Sequence, residues 1–189
     1  MYTSYAPPFA RDINTTTEGI KFTMDSGKIP IDVIILVDIF EDAWKFDPGS
    51  LAETFVEFDT EIYDNVATDP SGKIVSLHRR GFIINVQTRY VKDIDKDRRS
   101  GYGRGTTAKD RKSGNFSLDF HESQHSAEAL EYIHKNQIPD MIIKPGMTAK
   151  SVTQILDDYA VKRDAYLKKL ESYHIAKVDC VGNPAKFCK

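Results

Sequence analysis

Long apolar runs are missing from this chain. The longest, residues 33–37, lies between Asp32 and Asp38, whereas a transmembrane helix needs about 20 apolar residues. We therefore predict no membrane span. The start of the chain also lacks the basic region and the apolar core of a signal peptide. We expect that a signal was removed, that the protein is exported by another route, or that it stays inside the cell.

A strong net charge is missing as well. The 26 Lys and Arg nearly balance the 28 Asp and Glu, which leaves a formal charge of −2. A basic surface is the usual mark of nucleic-acid binding, so nucleic acid is not expected as a partner. A chain of 189 residues is long enough to bury about 70% of the surface that it exposes when unfolded. We expect a single domain.

Cysteine is scarce, with only Cys180 and Cys188 in the whole chain. Two thiols are too few for a closed zinc site, which usually has four ligands. Their spacing across a Gly-Asn-Pro turn instead predicts a disulfide that closes a small C-terminal loop. A disulfide favours an oxidising compartment. We therefore expect an extracytoplasmic protein, secreted or periplasmic; two free thiols in a cytosolic protein are the alternative.

The most informative motif is HExxH, formed by His121, Glu122 and His125. The surrounding residues predict a helix that begins near Asn115 or Ser117 and ends near Asn136. Residues four apart lie on one face of a helix, so both imidazoles can reach one metal ion. Glu122 lies beside them, where it can take a proton from a bound water. An accidental match is expected roughly 0.006 times in such a chain.

This motif resembles the signature of the zincin zinc metallopeptidases, and the resemblance covers the motif and its helix. It implies that His121 and His125 bind Zn²⁺ and that Glu122 is the general base. The extended metzincin pattern is not present, because Glu128 and Glu131 stand where that pattern has a glycine and its third ligand.

A catalytic zinc needs a third protein ligand, and the sequence leaves its identity open. We favour His174, which follows a second predicted helix and precedes the cysteine loop. Zincins of the thermolysin type take an acidic ligand from a later helix, and this makes Asp158 the alternative. Other candidates lie downstream of the motif: Asp140, Asp157, Glu171 and Asp179.

The second helix is predicted over residues 149–172 from its apolar spacing. Arg163 falls in the middle of that apolar face, where a guanidinium needs a carboxylate partner or the substrate. Tyr159 and Tyr166 share the face and either pack in the core or donate a hydrogen bond to a developing oxyanion. We take Arg163, Tyr159 and Tyr166 as candidate catalytic residues.

The order of patterns predicts an α+β fold in four segments. An extended arm (residues 1–20) precedes a β-rich part (21–91), a mobile loop (92–114) and a helical catalytic part (115–189). The loop is rich in charge and glycine. It is either a solvated loop or a lid over the metal, in which Tyr102 and Arg104 would contact a carbonyl or carboxylate of the substrate.

Within the β-rich part, residues 20–24, 31–40, 73–77 and 81–90 read as strands, and residues 69–72 read as a turn ahead of a hairpin. Residues 50–58 read as a short helix, and a further short strand and turn are expected at residues 140–146. We expect the strand at 82–90 to be a sheet edge that could bind an extended substrate.

These features predict a zincin-like domain, a β-rich part followed by the HExxH helix and a second long helix, that hydrolyses a peptide or amide bond with Zn²⁺. The expected partner is a peptide or protein substrate, or peptidoglycan if a bacterium exports the protein. Two other functions stay open. One is a non-enzymatic binding module with a structural metal or none, and the other is a metal amidase that acts on a small molecule.

Overall fold

The computed structural model describes residues 20–26, 29–42, 50–58, 63–79 and 81–188. The predicted N-terminal arm, except for Ile20, lies outside these residues. The described strands are β1 (Ile20–Ser26), β2 (Ile29–Asp42), β3 (Ala52–Phe58), β4 (Tyr63–Thr68), β5 (Ile74–Arg79) and β6 (Phe82–Val91). The described helices are α1 (Ala108–Lys112), α2 (Leu118–Lys135) and α3 (Ala149–Val178), followed by a 3-10 turn at Lys186–Cys188. The predicted α+β class is confirmed.

The main sheet has the strand order β1-β2-β6-β3. β2 and β6 are parallel, with Val33 opposite Phe82 at one end of the ladder and Asp42 opposite Val91 at the other. The outer strands β1 and β3 run antiparallel to their neighbours. The predicted edge position of residues 82–90 is therefore wrong, because β6 lies between two partner strands. Its alternating burial identifies one face of this central strand as the core face.

β3 corrects a second prediction, since residues 52–58 form a strand and not the short helix expected for residues 50–58. The segment contains β-branched and aromatic residues, among them Thr54, Phe55 and Val56, which suit a pleated and partly buried surface. Pairing with β6 from Ala52 to Phe58 satisfies the backbone groups on the side of β3 that faces β6. Tertiary pairing thus decides the conformation of a segment with weak local preference.

β4 and β5 form a separate antiparallel hairpin. The predicted turn at residues 69–72 connects them, and the Asp69 carboxylate accepts hydrogen bonds from the backbone N–H groups of Ser71 and Lys73. The sequence did not predict β4, whose pairing is irregular, with register shifts and a positive φ of 51° at Asn65. The short strand expected at residues 140–146 does not form, although the turn there is present.

α2 packs against β3, β6 and α3. Ser117 caps its start by accepting the N–H of Phe120, and Asn136 caps its end, as expected. The C-terminal half of α2 contributes the buried Ala129 and Ile133 to the apolar core. Buried residues from the sheet, from α3 and from the connection between α2 and α3 complete that core: Ile35, Phe58, Phe82, Ile84, Val86, Ile138, Met141, Tyr159, Tyr166 and Leu170.

α3 is 30 residues long and continues past the predicted end at residue 172. A reciprocal capping box between Thr148 and Ser151 fixes its start. Between Thr148 and Gly182 the chain contains no glycine or proline, and the helix ends only at the C-cap residue Asp179. His174 therefore lies within α3, and Asp179 lies at its C-terminal end.

The predicted disulfide between Cys180 and Cys188 is confirmed, with 5.4 Å between the two Cα atoms. It closes the segment that directly follows α3. Within the described residues, none of the helices combines the length and the apolar character needed to cross a membrane.

We predict that replacing both cysteines by serine lowers the free energy of unfolding by about 2–3 kcal/mol, because the cross-link restricts the unfolded chain. Urea unfolding followed by circular dichroism would measure the change. Wild-type protein treated with a thiol reductant should lose the same amount, whereas the double variant should not respond to the reductant. A loss much below 1 kcal/mol would show that the cross-link contributes little.

Candidate metal centre

The N-terminal half of α2 carries both histidines of the motif on a buried face. His121 is 1% exposed and His125 is 7% exposed. One helical turn separates them, so their rings lie one above the other, with centroids 5.0 Å apart. Two buried imidazoles need polar partners, and three residues from two other segments of the chain supply them.

The first partner is Asp179, the C-cap residue of α3. Its Oδ1 atom lies 3.1 Å from Nε2 of His121 and 3.0 Å from Nε2 of His125. The two Nε2 atoms are 3.3 Å apart. The three side chains thus direct one ligand atom each toward a common point, and all three residues are buried. This group could hold a metal ion.

The backbone of residue 104 fixes the orientation of His121. Nδ1 of His121 lies 3.0 Å from the carbonyl oxygen of Arg104. A carbonyl oxygen only accepts, so Nδ1 carries the proton and donates it. In the neutral ring the lone pair is then on Nε2, which faces Asp179. Metal-binding histidines are commonly held in this way by a carbonyl behind the ring.

His174 of α3 holds His125 from behind in a similar arrangement. The two Nδ1 atoms are 2.9 Å apart, so one ring donates and the other accepts. Burial, and then the neighbouring His125, lowers the pKa of His174 to about 4, and its ring is neutral near pH 7. His174, our favoured third ligand, therefore contacts the back of His125, while Asp179 occupies the shared point.

The charged groups around this point stabilise a cation there. Burial acts to raise the pKa of Asp179, but hydrogen bonds from His121 and His125 outweigh it and lower that pKa to about 2. Burial acts to lower the pKa of His121. The hydrogen bond with Asp179 and the charge of Glu122 outweigh this effect of burial, so the pKa of His121 is raised. A positive charge, carried by a proton or by a metal ion, is thus stabilised where the three ligand atoms meet.

Glu122 lies on the side of α2 that faces the sheet and is 4% exposed. Its Oε2 accepts a hydrogen bond of 2.9 Å from Thr54 of β3. Thr54 Oγ1 is 2.9 Å from Thr88 of β6, which is 3.1 Å from Ser126 of α2. While Glu122 is ionised, each hydroxyl can donate to the next group, and the chain ends at the carboxylate.

The electrostatic setting of Glu122 combines opposing effects. Burial raises its pKa, while the charges of His125 and His121 and the hydrogen bond from Thr54 act to lower it. The net direction is upward. A buried carboxyl group with a raised pKa, next to two histidines, is the setting in which proteins place general bases.

The segment between β6 and α2 covers the cluster. The Arg104 N–H donates to the Val178 carbonyl at 2.7 Å, and the Gly103 N–H donates to the Asn183 carbonyl at 2.7 Å. Arg104 is not available to a substrate carboxylate as predicted, because its guanidinium pairs with the buried Asp110. The covering segment is thereby joined both to the end of α3 and to the loop after it.

Tyr102 lies at the centre of this cover. Its ring meets the ring of His121 edge-on, with centroids 5.1 Å apart, and 41% of the residue is exposed. Partial burial, and then the charges of Asp179 and Glu122, raises the pKa of Tyr102 to about 12. Its phenol therefore keeps its proton near pH 7.

The remaining sequence candidates lie away from the cluster. Asp158 is exposed and accepts a hydrogen bond from Gln154. Arg163 pairs with Asp164 on the outer side of α3, about 16 Å along the axis from His174 at 1.5 Å per residue. Tyr159 stacks on Phe82 in the core.

Tyr166 also belongs to the core and not to the metal cluster. Its ring packs against the rings of Phe58 and Tyr132, with centroids 5.6 Å and 5.4 Å away. Its hydroxyl donates to the Asn136 carbonyl at the far end of α2. The structure thus brings together His121, His125 and Glu122 of the predicted set, with His174 behind them.

Sequence reasoning gave too little weight to Asp179 and overlooked Thr54, Thr88 and Ser100. One signal for Asp179 was available: the apolar spacing of α3 continues through Leu170 to Val178, both buried, which would have extended the helix to Asp179. The Thr54 and Thr88 hydroxyls gave no such signal, because their proximity to Glu122 depends on the pairing of β3 with β6.

Comparison with protein-family models, with curated proteins and with solved structures finds no match for this chain. The resemblance to the zincins therefore rests on the motif and its helix alone, and membership of that superfamily stays a prediction.

We predict that Gly103→Ala disrupts the cover and Gly101→Ala does not. A Cβ atom at Gly103 would lie 2.3 Å from the Val178 carbonyl oxygen and 2.9 Å from Cε1 of His121, and the backbone φ is +64°. Such a change should cost about 2 kcal/mol or more, measured by urea unfolding. Gly101 is the matched control, since nothing lies within 4 Å of its Cβ position. Equal stability of the two variants would contradict the described packing.

Proposed function

We propose that this protein is a zinc-dependent hydrolase of peptide or amide bonds, with the metal held by His121, His125 and Asp179. The observation that carries the proposal is the convergence of Nε2, Nε2 and Oδ1 at mutual distances of 3.0–3.3 Å. Ligands about 2.0–2.1 Å from a tetrahedral zinc lie about 3.3 Å from one another. Two nitrogens and one carboxylate also form a ligand set that is typical of catalytic zinc, which keeps a fourth position open.

The hydrogen bonds on the far side of the two imidazole rings support the same site. Nδ1 of His121 is hydrogen-bonded to the Arg104 carbonyl, and Nδ1 of His125 is hydrogen-bonded to the His174 ring. Both Nε2 lone pairs can then serve as ligands without a change of ring orientation. In this proposal Asp179 replaces His174 as the third ligand, and His174 is a positioning residue.

When bound, zinc would polarise the scissile carbonyl and lower the pKa of a water molecule toward neutrality. The chain supplies the proton transfers. Glu122 accepts a proton from the attacking water at its carboxylate and passes it to the leaving nitrogen. The pKa of Glu122 is raised by burial, and a higher proton affinity makes a carboxylate a stronger base. Thr54 holds the carboxylate through its Oε2 atom.

In this proposal Tyr102 stabilises the oxyanion, which is the role that the sequence suggested for Tyr159, Tyr166 or Arg163. Its phenol is partly exposed next to His121, whereas those three residues lie elsewhere on α3. A protonated phenol beside the reacting carbonyl can donate a hydrogen bond to the oxyanion.

The substrate class proposed is a peptide or protein, with a peptidoglycan cross-link as the possibility for an exported bacterial protein. An extended substrate would bind along β3 and not along β6. Within the described residues β3 has β6 as its only partner strand, and β3 carries Thr54 beside Glu122. The disulfide is compatible with an extracytoplasmic location.

A structural metal is the second candidate, because one observation favours it. His121, Asp179 and His125 are 1%, 5% and 7% exposed, and residues 100–105 lie over them. Structural sites are closed in this manner, whereas catalytic sites keep a position open to substrate. In that case removal of the metal would unfold the domain and no hydrolysis would be observed.

Metal content tests the ligand set. Protein purified without chelator should contain about one zinc per chain, and both His121→Ala and Asp179→Asn should lose it, because each removes a ligand. His174→Ala should keep the stoichiometry at saturating zinc and lose about 10–100-fold in affinity, since it only orients His125. His78→Ala serves as a control outside the cluster. Loss of zinc in the His174 variant but not in the Asp179 variant would restore His174 as the ligand.

Glu122→Gln tests the catalytic role. With zinc bound, this variant should cleave a fluorogenic peptide pool or peptidoglycan about 10²–10⁴-fold more slowly than wild type, because the general base is lost. Its zinc content should be unchanged. Glu131→Gln, on the exposed side of the same helix, is the matched control. Full activity in Glu122→Gln would rule out the proposed base, and zinc without any hydrolysis in wild type would favour the structural site.

A further inference from the structure

A cavity of about 330 Å³ lies beside the metal cluster, lined by Arg99, Ser100, Gly105, Arg111 and Phe116. Its size falls near the lower end of small-molecule sites. Ser100 connects it to the cluster, because the Ser100 hydroxyl is 3.4 Å from Nδ1 of His121. A group bound in this cavity would therefore lie behind the His121 ring, on the side opposite the Nε2 atom that faces Asp179.

The walls of this cavity are cationic. Between residues 98 and 112 six side chains are Lys or Arg, and Asp110 is the only acid. Asp110 is turned inward, where it neutralises Arg104. Among the described residues neither Arg99 nor Arg111 forms an ion pair, although the Arg99 guanidinium lies 5.3 Å from the centre of the Phe116 ring. On a chain with a net charge of −2, two unpaired guanidinium groups at one cavity favour an anionic group.

Ser100 and Gly105 form the floor of the cavity, and the hydrogen bonds that they already make indicate which kind of anion can bind there. The Ser100 N–H donates to the Phe116 carbonyl, and the Gly105 N–H donates to Asp110. The Ser100 hydroxyl donates to the Tyr102 carbonyl. These floor groups have no free donor for a phosphate, which binds best in a cradle of backbone N–H groups. Guanidinium groups bind carboxylates and phosphates alike in a bidentate fashion, so the lack of free backbone donors is the feature that favours a carboxylate.

We propose that this cavity binds a carboxylate of the substrate, either an acidic side chain close to the scissile bond or the C-terminal carboxylate. Arg99 and Arg111 bind the carboxylate, and the exposed ring of Phe116 packs against the adjoining methylene groups. This proposal rests on the proposed hydrolase function and names the substrate class as peptides that carry a negative charge near the cleaved bond.

Three small probes test the cavity on the full chain without any need for turnover. N-acetylglutamate α-amide carries only a side-chain carboxylate, N-acetylglutamine carries only a C-terminal carboxylate, and N-acetylglutamine amide carries neither. Each is titrated into isotope-labelled protein, and the backbone signals of Ser100, Gly105 and Phe116 are followed by NMR. One or both charged probes should bind at least tenfold more tightly than the neutral probe, and the tighter one identifies the source of the carboxylate.

Arg99→Gln and Arg111→Gln should each weaken the binding of the charged probe about tenfold, as expected for loss of one charge-assisted hydrogen bond. Arg98→Gln is the matched control, because it removes the same charge from an exposed neighbour outside the cavity lining. Equal binding of all three probes, or equal weakening by Arg98→Gln, would overturn the proposal. The titrations run with zinc and with chelator, so failure of this cavity is distinguishable from failure of the hydrolase.

Discussion

The arrangement depends on the contact between the Asp179 carboxylate and the two Nε2 atoms of His121 and His125. It joins the first turns of α2 to the C-cap residue of α3, at distances of 3.0 and 3.1 Å. Burying a carboxylate costs several kcal/mol unless positive or hydrogen-bonding groups surround it. The two imidazoles meet that need, with protons or with a metal. The antiparallel packing of α2 and α3 and the chemistry of the site are therefore coupled.

A polar layer surrounds this contact inside an otherwise apolar interface. The C-terminal half of α2 packs Ile133 against its apolar neighbours, whereas the N-terminal half places Glu122 and Ser126 against Thr54 and Thr88. Polar groups in such a position lower the apolar area that folding can bury. Since each hydroxyl finds a partner, the layer is satisfied, and it holds the Glu122 carboxylate in one orientation.

The covering segment between β6 and α2 affects the site in two ways. Gly103 allows the backbone to approach His121 and the end of α3 closely, and Arg104 supplies both a carbonyl to His121 and an N–H to Val178. Asp110 forms an ion pair with Arg104, so the charges of the outer arginines in the same segment have no acidic partner there. One segment thus orients His121 from behind and presents positive charge beside it.

The sequence alone determined the HExxH helix, its caps, the disulfide and most strands, because these depend on spacing and on local preferences within a few residues. It did not determine that β6 is a central strand, that residues 52–58 pair with it, or that Thr54 meets Glu122. It also favoured His174 over Asp179 at the third ligand position. These outcomes depend on where distant segments pack, and Asp179 is 54 residues from His125. Only the antiparallel docking of α3 on α2 places its carboxylate between the imidazoles and moves His174 behind them.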